Sequence, residues 1–299
     1  MENIYFLMIM ALVVLAIADL VVGVSNDAVN FLNSALGSKA VSFRTIMIVA
    51  SLGIAFGAIF SSGMMEVARK GIFVPGEFYF NEIMIIFLAV MITDILLLDF
   101  FNTLGMPTST TVSIVFELLG AAVAMALIKI GAENGSFSEV LKYINTEKAT
   151  EIILGILLSV VVAFSVGAFV QYISRVLLSF DFEKKAKWVG AVFGGVALAA
   201  ITYFIFIKGL KGTDYYANIE PMIEGKTLLI ITVSFLVWSM LSYLAVVALK
   251  MNNYKIIIII GTFALALAFA GNDLVNFIGV PIAAWQSYEA WSVSGVPAT

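Results

Sequence analysis

The sequence predicts an all-α integral membrane protein that crosses the bilayer many times. Three observations predict it. Of its 299 residues, 62% are hydrophobic and 12% charged, whereas a soluble domain carries about a quarter charged residues and about half apolar ones. The apolar residues fall into eight long runs, and most approach the ~20 residues that a helix needs to cross a hydrocarbon core of ~30 Å. No run alternates apolar with polar residues as a barrel strand would. Helices, which satisfy their backbone groups internally, are therefore the expected form.

The runs justify themselves in order. Residues 4–24 carry one charge, Asp19, and lack both a basic flank before them and a small-residue cleavage site behind, so they read as a retained helix and not a signal peptide. Residues 45–65 follow. Residues 83–101 include Asp94 and Asp99, and residues 112–130 include Glu117 and Lys129. Residues 152–173, 188–207, 228–249 and 256–270 complete the set. The polar break at 175–187 holds Arg175, Lys184, Lys185 and Lys187 against Asp181 and Glu183, which assigns it to the cytoplasm by the positive-inside rule. Alternation back through five spans then puts the N-terminus outside. The expected location is the cell (inner) membrane.

Composition also excludes chemistry. With no cysteine and no histidine, the chain has no disulfide framework or thiolate metal site and lacks the commonest general base and proton relay. It has no nucleotide loop, dinucleotide fingerprint or nucleophile elbow. ATP-driven pumping by this chain is not expected, no enzyme cofactor is implied, and no nucleic-acid partner is indicated.

One motif is duplicated. Residues 25–31 read Ser-Asn-Asp-Ala-Val-Asn-Phe and residues 271–277 read Gly-Asn-Asp-Leu-Val-Asn-Phe. Asn26, Asp27, Val29, Asn30 and Phe31 thus recur 246 positions later as Asn272, Asp273, Val275, Asn276 and Phe277. Matching segments at corresponding points of two halves mark the binding sites of transporters built from broken helices. A carboxylate at the bilayer centre costs ~2.5–3.5 kcal/mol on insertion scales, so Asp27 and Asp273 are expected to face a cavity or a cation. With Asn26 and Asn272 they offer hard oxygen ligands for Na⁺ or a similar cation. The plainer alternative is that each Asn-Asp pair caps a helix.

A second constellation, Gly105-Met106-Pro107-Thr108-Ser109-Thr110-Thr111, lies between two runs. Glycine and proline end one helix, and the hydroxyl residues favour the cap of the next. Ser109, Thr110 and Thr111 would form a neutral cradle for an anion that must be released again; an ordinary interhelical turn is the alternative. Asp94, Asp99 and Glu117 flank it, available for a coupling cation, for protons, or for pairing with Lys39 and Arg44. Asp19 stands two helical turns before Asp27 and is placed to face the same cavity.

At these residues the chain resembles the PiT family of inorganic phosphate transporters, whose duplicated signature has the form Gly-x-Asn-Asp-x-x-Asn and whose second element reads Gly-Leu-Pro-x-Ser-Thr-Thr. The resemblance implies a secondary transporter, not an enzyme, that moves phosphate with Na⁺ or H⁺ as coupling ion. It implies phosphate held by Asp27, Ser109, Thr110, Thr111 and Asp273, and Na⁺ held by Asn26, Asp27, Asn272 and Asp273. It also implies inverted halves with broken or re-entrant helices, and a homodimer. On this reading residues 1–132 form the first repeat, 133–227 central helices and polar loops, and 228–299 the start of the second repeat. Six runs counted between the signatures would leave the halves parallel, so one re-entrant element is expected around residues 105–111.

Three departures qualify the resemblance. Val112 stands where the family often has histidine, and Ser25 replaces the glycine before the first Asn-Asp pair. A second Ser-Thr-Thr element, at the spacing that separates Asp27 from Ser109, would fall beyond Thr299, so the second repeat is expected to be incomplete. A sulfate or other oxyanion permease of the same fold is an alternative. So is an intramembrane aspartyl enzyme in which Asp27 and Asp273 share a proton. A third is a membrane scaffold.

Overall fold

The computed structural model describes residues 2–60, 71–178, 187–209 and 214–298. The named elements among them are all helical. They are α1 (Glu2–Ser38), α2 (Phe43–Phe60), α3 (Phe80–Thr103), α4 (Thr110–Ala132), α5 (Val140–Tyr143), α6 (Thr146–Leu177), α7 (Val189–Tyr203), α8 (Asp214–Ile223), α9 (Thr227–Val247), α10 (Asn253–Asn272) and α11 (Leu274–Ser294). Extended pairing among the described residues is one isolated bridge, Phe73 to Ile144. Seven helical stretches are long and apolar enough to cross a membrane, with α10 and α11 counted together as one, and α2 is a shorter apolar helix. The all-α membrane class expected from composition is what the chain adopts. The end of the run 45–65 and the charges Asp181, Glu183, Lys184 and Lys185 lie outside the described residues.

Two expectations are corrected. The first signature does not interrupt its helix: α1 runs through residues 25–31 without a break. The second does, since Asp273 separates α10 from α11. Seven apolar helices (α2, α3, α4, α6, α7, α9 and α10) lie between the two signatures among the described residues. The seven apolar runs from 45–65 to 256–270 match them, so the expected six is one too few. An odd number accommodates inverted halves without a re-entrant run, and residues 105–109 form the turn between α3 and α4, helices of 24 and 23 residues.

The chain folds as two compact units drawn from interleaved segments. The first takes Met1–Val29, Met64–Leu158 and Asn272–Thr299. Its core begins with a stripe on α1. Tyr5, Ile9, Leu12, Ala16, Asp19, Gly23 and Asn26 recur at spacings of three and four and are all buried, the repeat of one helix face. The five apolar or small members of that face therefore carry Asp19 and Asn26 inward with them. The hairpin α3–α4 packs beside it with Met84, Phe87, Val90, Met91, Leu118, Ala122 and Ala126 buried, and α11 packs against α3. Tyr5, Phe80 and Trp291 close one end, with the Phe80 and Trp291 rings stacked at 4.6 Å. At that end Lys129 bridges Glu82 at 3.2 Å and donates to the Glu77 carbonyl.

The second unit takes Asn30–Gly63 and Ser159–Gly271. Small residues let its helices approach closely, as they do generally in membranes: Gly53 and Gly57 of α2 lie against the α10 backbone at Phe263 and Leu267. Gly194 and Gly195 of α7 face Ser242 and Ser239 of α9, and the Asn253 amide donates to the Gly190 carbonyl at 2.8 Å. Helix α6, which runs into both units, exposes apolar side chains such as Leu157, Val161, Phe164 and Val166 all round, the habit of a helix whose surroundings are lipid.

Candidate functional site

The site is assembled within the first unit, from the middle of α1, the α3–α4 turn and the α10–α11 break. The turn is made by local chemistry. Helix α3 ends at Leu104, and Gly105 follows in the left-handed region at φ 67°. The Met106 N–H reaches the Phe101 carbonyl and the Gly105 N–H the Asn102 carbonyl, both at 3.0 Å. This paired closure satisfies the last carbonyls of the helix and favours glycine at that position. Ser109 restarts the chain as N-cap of α4, its hydroxyl accepting from the Val112 N–H, so Thr110 and Thr111 occupy the first helical turn, where backbone N–H groups are unpaired and the helix dipole is positive.

Asn26 pins this turn to α1. Its amide donates to the Asn102 side-chain oxygen Oδ1 at 2.8 Å and to the Met106 backbone carbonyl at 3.1 Å, and its own oxygen accepts from the Thr108 N–H at 2.8 Å. Asn102 in turn donates to the Val22 carbonyl at 2.9 Å. The oxygen that sequence reasoning offered to a cation is thus occupied in holding residues 106–108. Asn102 carries this arrangement yet was missed; its only signal was a polar residue at the end of an apolar run.

The two threonines meet the two aspartates. The Thr110 hydroxyl hydrogen-bonds the Asp27 carboxylate, and the Thr111 hydroxyl donates to Asp273 at 3.1 Å. Asn276, the second asparagine of its signature, donates to Thr111 at 2.9 Å. Asp27 and Thr110 are buried, whereas Asp273 and Thr111 are half-buried. Asp27 and Asp273 lie near enough to repel one another electrostatically. Of the predicted site residues, Asp27, Thr110, Thr111 and Asp273 are therefore brought together, and Ser109 stands beside them with its hydroxyl engaged as a cap. The Asn272 side chain lies outside the described residues.

The repeat also shows in packing. The buried Phe277 ring fills the space a side chain on Gly23 would take. Phe31 packs on Phe269 with ring centroids 5.0 Å apart. Positions 31 and 277, and 23 and 269, are each separated by 246, the offset of the duplicated motif, so the two contacts are counterparts.

Of the flanking acids, Asp94 and Glu117 face each other and Asp19. Asp99 is exposed.

The sequence profile of the phosphate transporter family matches residues 23–298. Among relatives designated phosphate permeases, one from Pyrococcus abyssi is 27% identical over 91% of this chain and 65% of its own length. One from Pyrococcus furiosus is 26% identical over 91% of this chain and 64% of its own, and one from Helicobacter pylori is 26% identical over 89% and 49%. The chain therefore spans 49% to 65% of the length of these relatives. A solved structure, "The sodium-dependent phosphate transporter", shares the fold with a TM-score of 0.67 at 19% identity, over 96% of this chain and 70% of its own. With the duplicated Asn-Asp motif, the hydroxyl turn and a profile match over nearly all its length, the chain belongs to the phosphate transporter family.

Proposed function

We propose that the protein binds inorganic phosphate at the head of α4 and carries it across the cell membrane together with Na⁺. The observation that carries this reading is the pair of adjacent threonines, each hydrogen-bonded to the aspartate of a different signature. Hydroxyls and free N–H groups at a helix start suit a phosphate oxyanion, whereas two carboxylates beside it repel one. A cation among Asp27, Asp273 and the anion reverses that repulsion, so each ligand raises the affinity for the other, and that coupling is the thermodynamic core of symport. We assign phosphate to Ser109, Thr110 and Thr111 with Asp27 and Asp273 bordering it, and Na⁺ to the two carboxylates with Asn272. Asn26 acts through its hold on the turn. The counterpart contacts at Phe31 and Phe277 support reading residues 1–132 and 228–299 as related, inverted halves. The fold and family favour a carrier over an aspartyl enzyme.

Equilibrium binding of ³²P-labelled phosphate to the chain in lipid nanodiscs, in sodium against choline medium and with sulfate as competitor, tests this. Saturable binding that requires Na⁺ and resists sulfate is expected. Equal displacement by sulfate would make it a general oxyanion site, and absence of saturable binding in both media would remove the assignment.

A further inference from the structure

Helices α1, α3 and α4 bring a second set of acids together, at Asp19, Asp94 and Glu117. Asp19 and Asp94 are 0% exposed. All six carboxyl oxygens of the three residues are buried without an N–H or hydroxyl donor. What they have is each other: Asp94 lies beside Asp19 on one side and Glu117 on the other. A carboxylate can only accept, so a hydrogen bond between two carboxyl groups requires a proton on one of them. Bonds from both neighbours to Asp94 would take two protons.

Charge leads to the same place. Three carboxylates in a dry interior carry a desolvation penalty that only a counter-charge or protonation removes. Among the described residues no basic side chain forms an ion pair with the group. Lys129, the basic residue of α4, is twelve residues from Glu117, about 18 Å along the helix, and is bonded to Glu82. The other acids on the neighbouring elements add negative charge: Asp27 on α1, which feels Asp94, Asp273 before α11, and Glu289 near the far end of α11. Among the described residues no three acids converge as ligands of one metal ion. On one side a cavity of about 600 Å³ between α3 and α4 is lined by Glu117 together with Thr93, Thr108 and Ser113. It joins the neighbourhood of the hydroxyl turn to the outermost of the three carboxyls.

We propose that Asp19, Asp94 and Glu117 form a buried proton-binding site, about 12 Å along α1 from Asp27, in which protonated Asp19 and Glu117 both donate to the Asp94 carboxylate. The site exchanges its protons through the cavity at Glu117. The assignment does not depend on which ion or anion the signature residues carry, because none of the three acids belongs to them.

Infrared spectroscopy of the purified chain in lipid nanodiscs at neutral pH tests the proposal directly. The wild type is expected to show protonated-carboxyl C=O absorption that shifts in D₂O. Asp19→Asn and Glu117→Gln are each expected to remove one component of it, and Asp94→Asn to shift both. A wild type without protonated-carboxyl absorption overturns the proposal, and this arm needs no variant to fold. So does a Na⁺ titration that abolishes the band with release of protons to an indicator dye, because the three acids would then be a sodium site. Phosphate binding by the same wild-type preparation reports separately on the signature residues, so either assignment can fail alone.

Discussion

The Thr111 hydroxyl donates a 3.1 Å hydrogen bond to Asp273, across 162 positions of chain. Its neighbour Thr110 serves Asp27 in the same way. One helix start therefore holds both copies of a motif that lie 246 residues apart, and the site exists only where these three segments meet.

If the two carboxylates hold the cation that makes phosphate binding favourable, Asp27→Asn and Asp273→Asn should each lower phosphate affinity in sodium medium by at least about tenfold, or ~1.4 kcal/mol. Affinity in choline medium should change little or rise, because a repelling charge has gone. Titrating ³²P-phosphate in both media separates these outcomes. Unchanged sodium stimulation in both variants would remove the paired site.

Thr111→Val keeps the shape of residue 111 but leaves Asp273 without its hydroxyl donor. Phosphate affinity should fall by about 1.5–3 kcal/mol, the range for a lost hydrogen bond to a charged group. The number of Na⁺ ions bound should not change. Parallel ²²Na⁺ and ³²P-phosphate binding would show whether the two effects part.

Asn26 is predicted to act as a strut. Asn26→Ala removes bonds to Asn102, Met106 and Thr108 and should cost about 1–3 kcal/mol through the groups left unpaired. Asn102→Ala should cost a similar amount. Because the residues share one network, the double variant should be less destabilised than the sum by about 0.5–3 kcal/mol. Thermal unfolding of the four proteins in one detergent gives the cycle, and simple additivity would argue against the strut.

Gly105 occupies the left-handed region at φ 67°, so Gly105→Ala should destabilise by about 1–2 kcal/mol. Gly105→Asn, a type that tolerates this conformation, should cost less. Equal unfolding midpoints for the two variants would contradict the assignment of the turn.

Gly23→Ala places a methyl group where the Phe277 ring lies, and overpacking of this kind costs about 1–3 kcal/mol. Phe277→Leu in the same chain should restore part of the loss. Failure of that second change to help would locate the damage elsewhere on α1.

Much of this arrangement is legible in the chain. The all-α membrane class follows from composition, because apolar runs of that length have no other stable form in lipid. Asp27 and Asp273 stand out through duplication, and residues 105–111 through the sequence of helix breakers and cap formers. The spacing of Tyr5, Ile9, Leu12, Ala16, Asp19, Gly23 and Asn26 even shows that Asp19 and Asn26 share the buried face of α1.

Partners are a different matter. Nothing local says that Asn26 would spend its oxygen on Thr108, that Asn102 would complete the network, or that Asp94 would face Asp19 in place of a lysine. Nor does the motif reveal that α1 passes straight through its copy while the chain breaks at Asp273. Helical period and hydropathy are properties of one segment, so the sequence by itself determined which segments are helices, which faces turn inward and which residues bear charge. Hydrogen bonds between residues 76 to 166 positions apart depend on how those helices pack. Only the tertiary structure decided which hydroxyl meets which carboxylate, because a polar group buried in a membrane protein takes whatever partner the neighbouring helix presents.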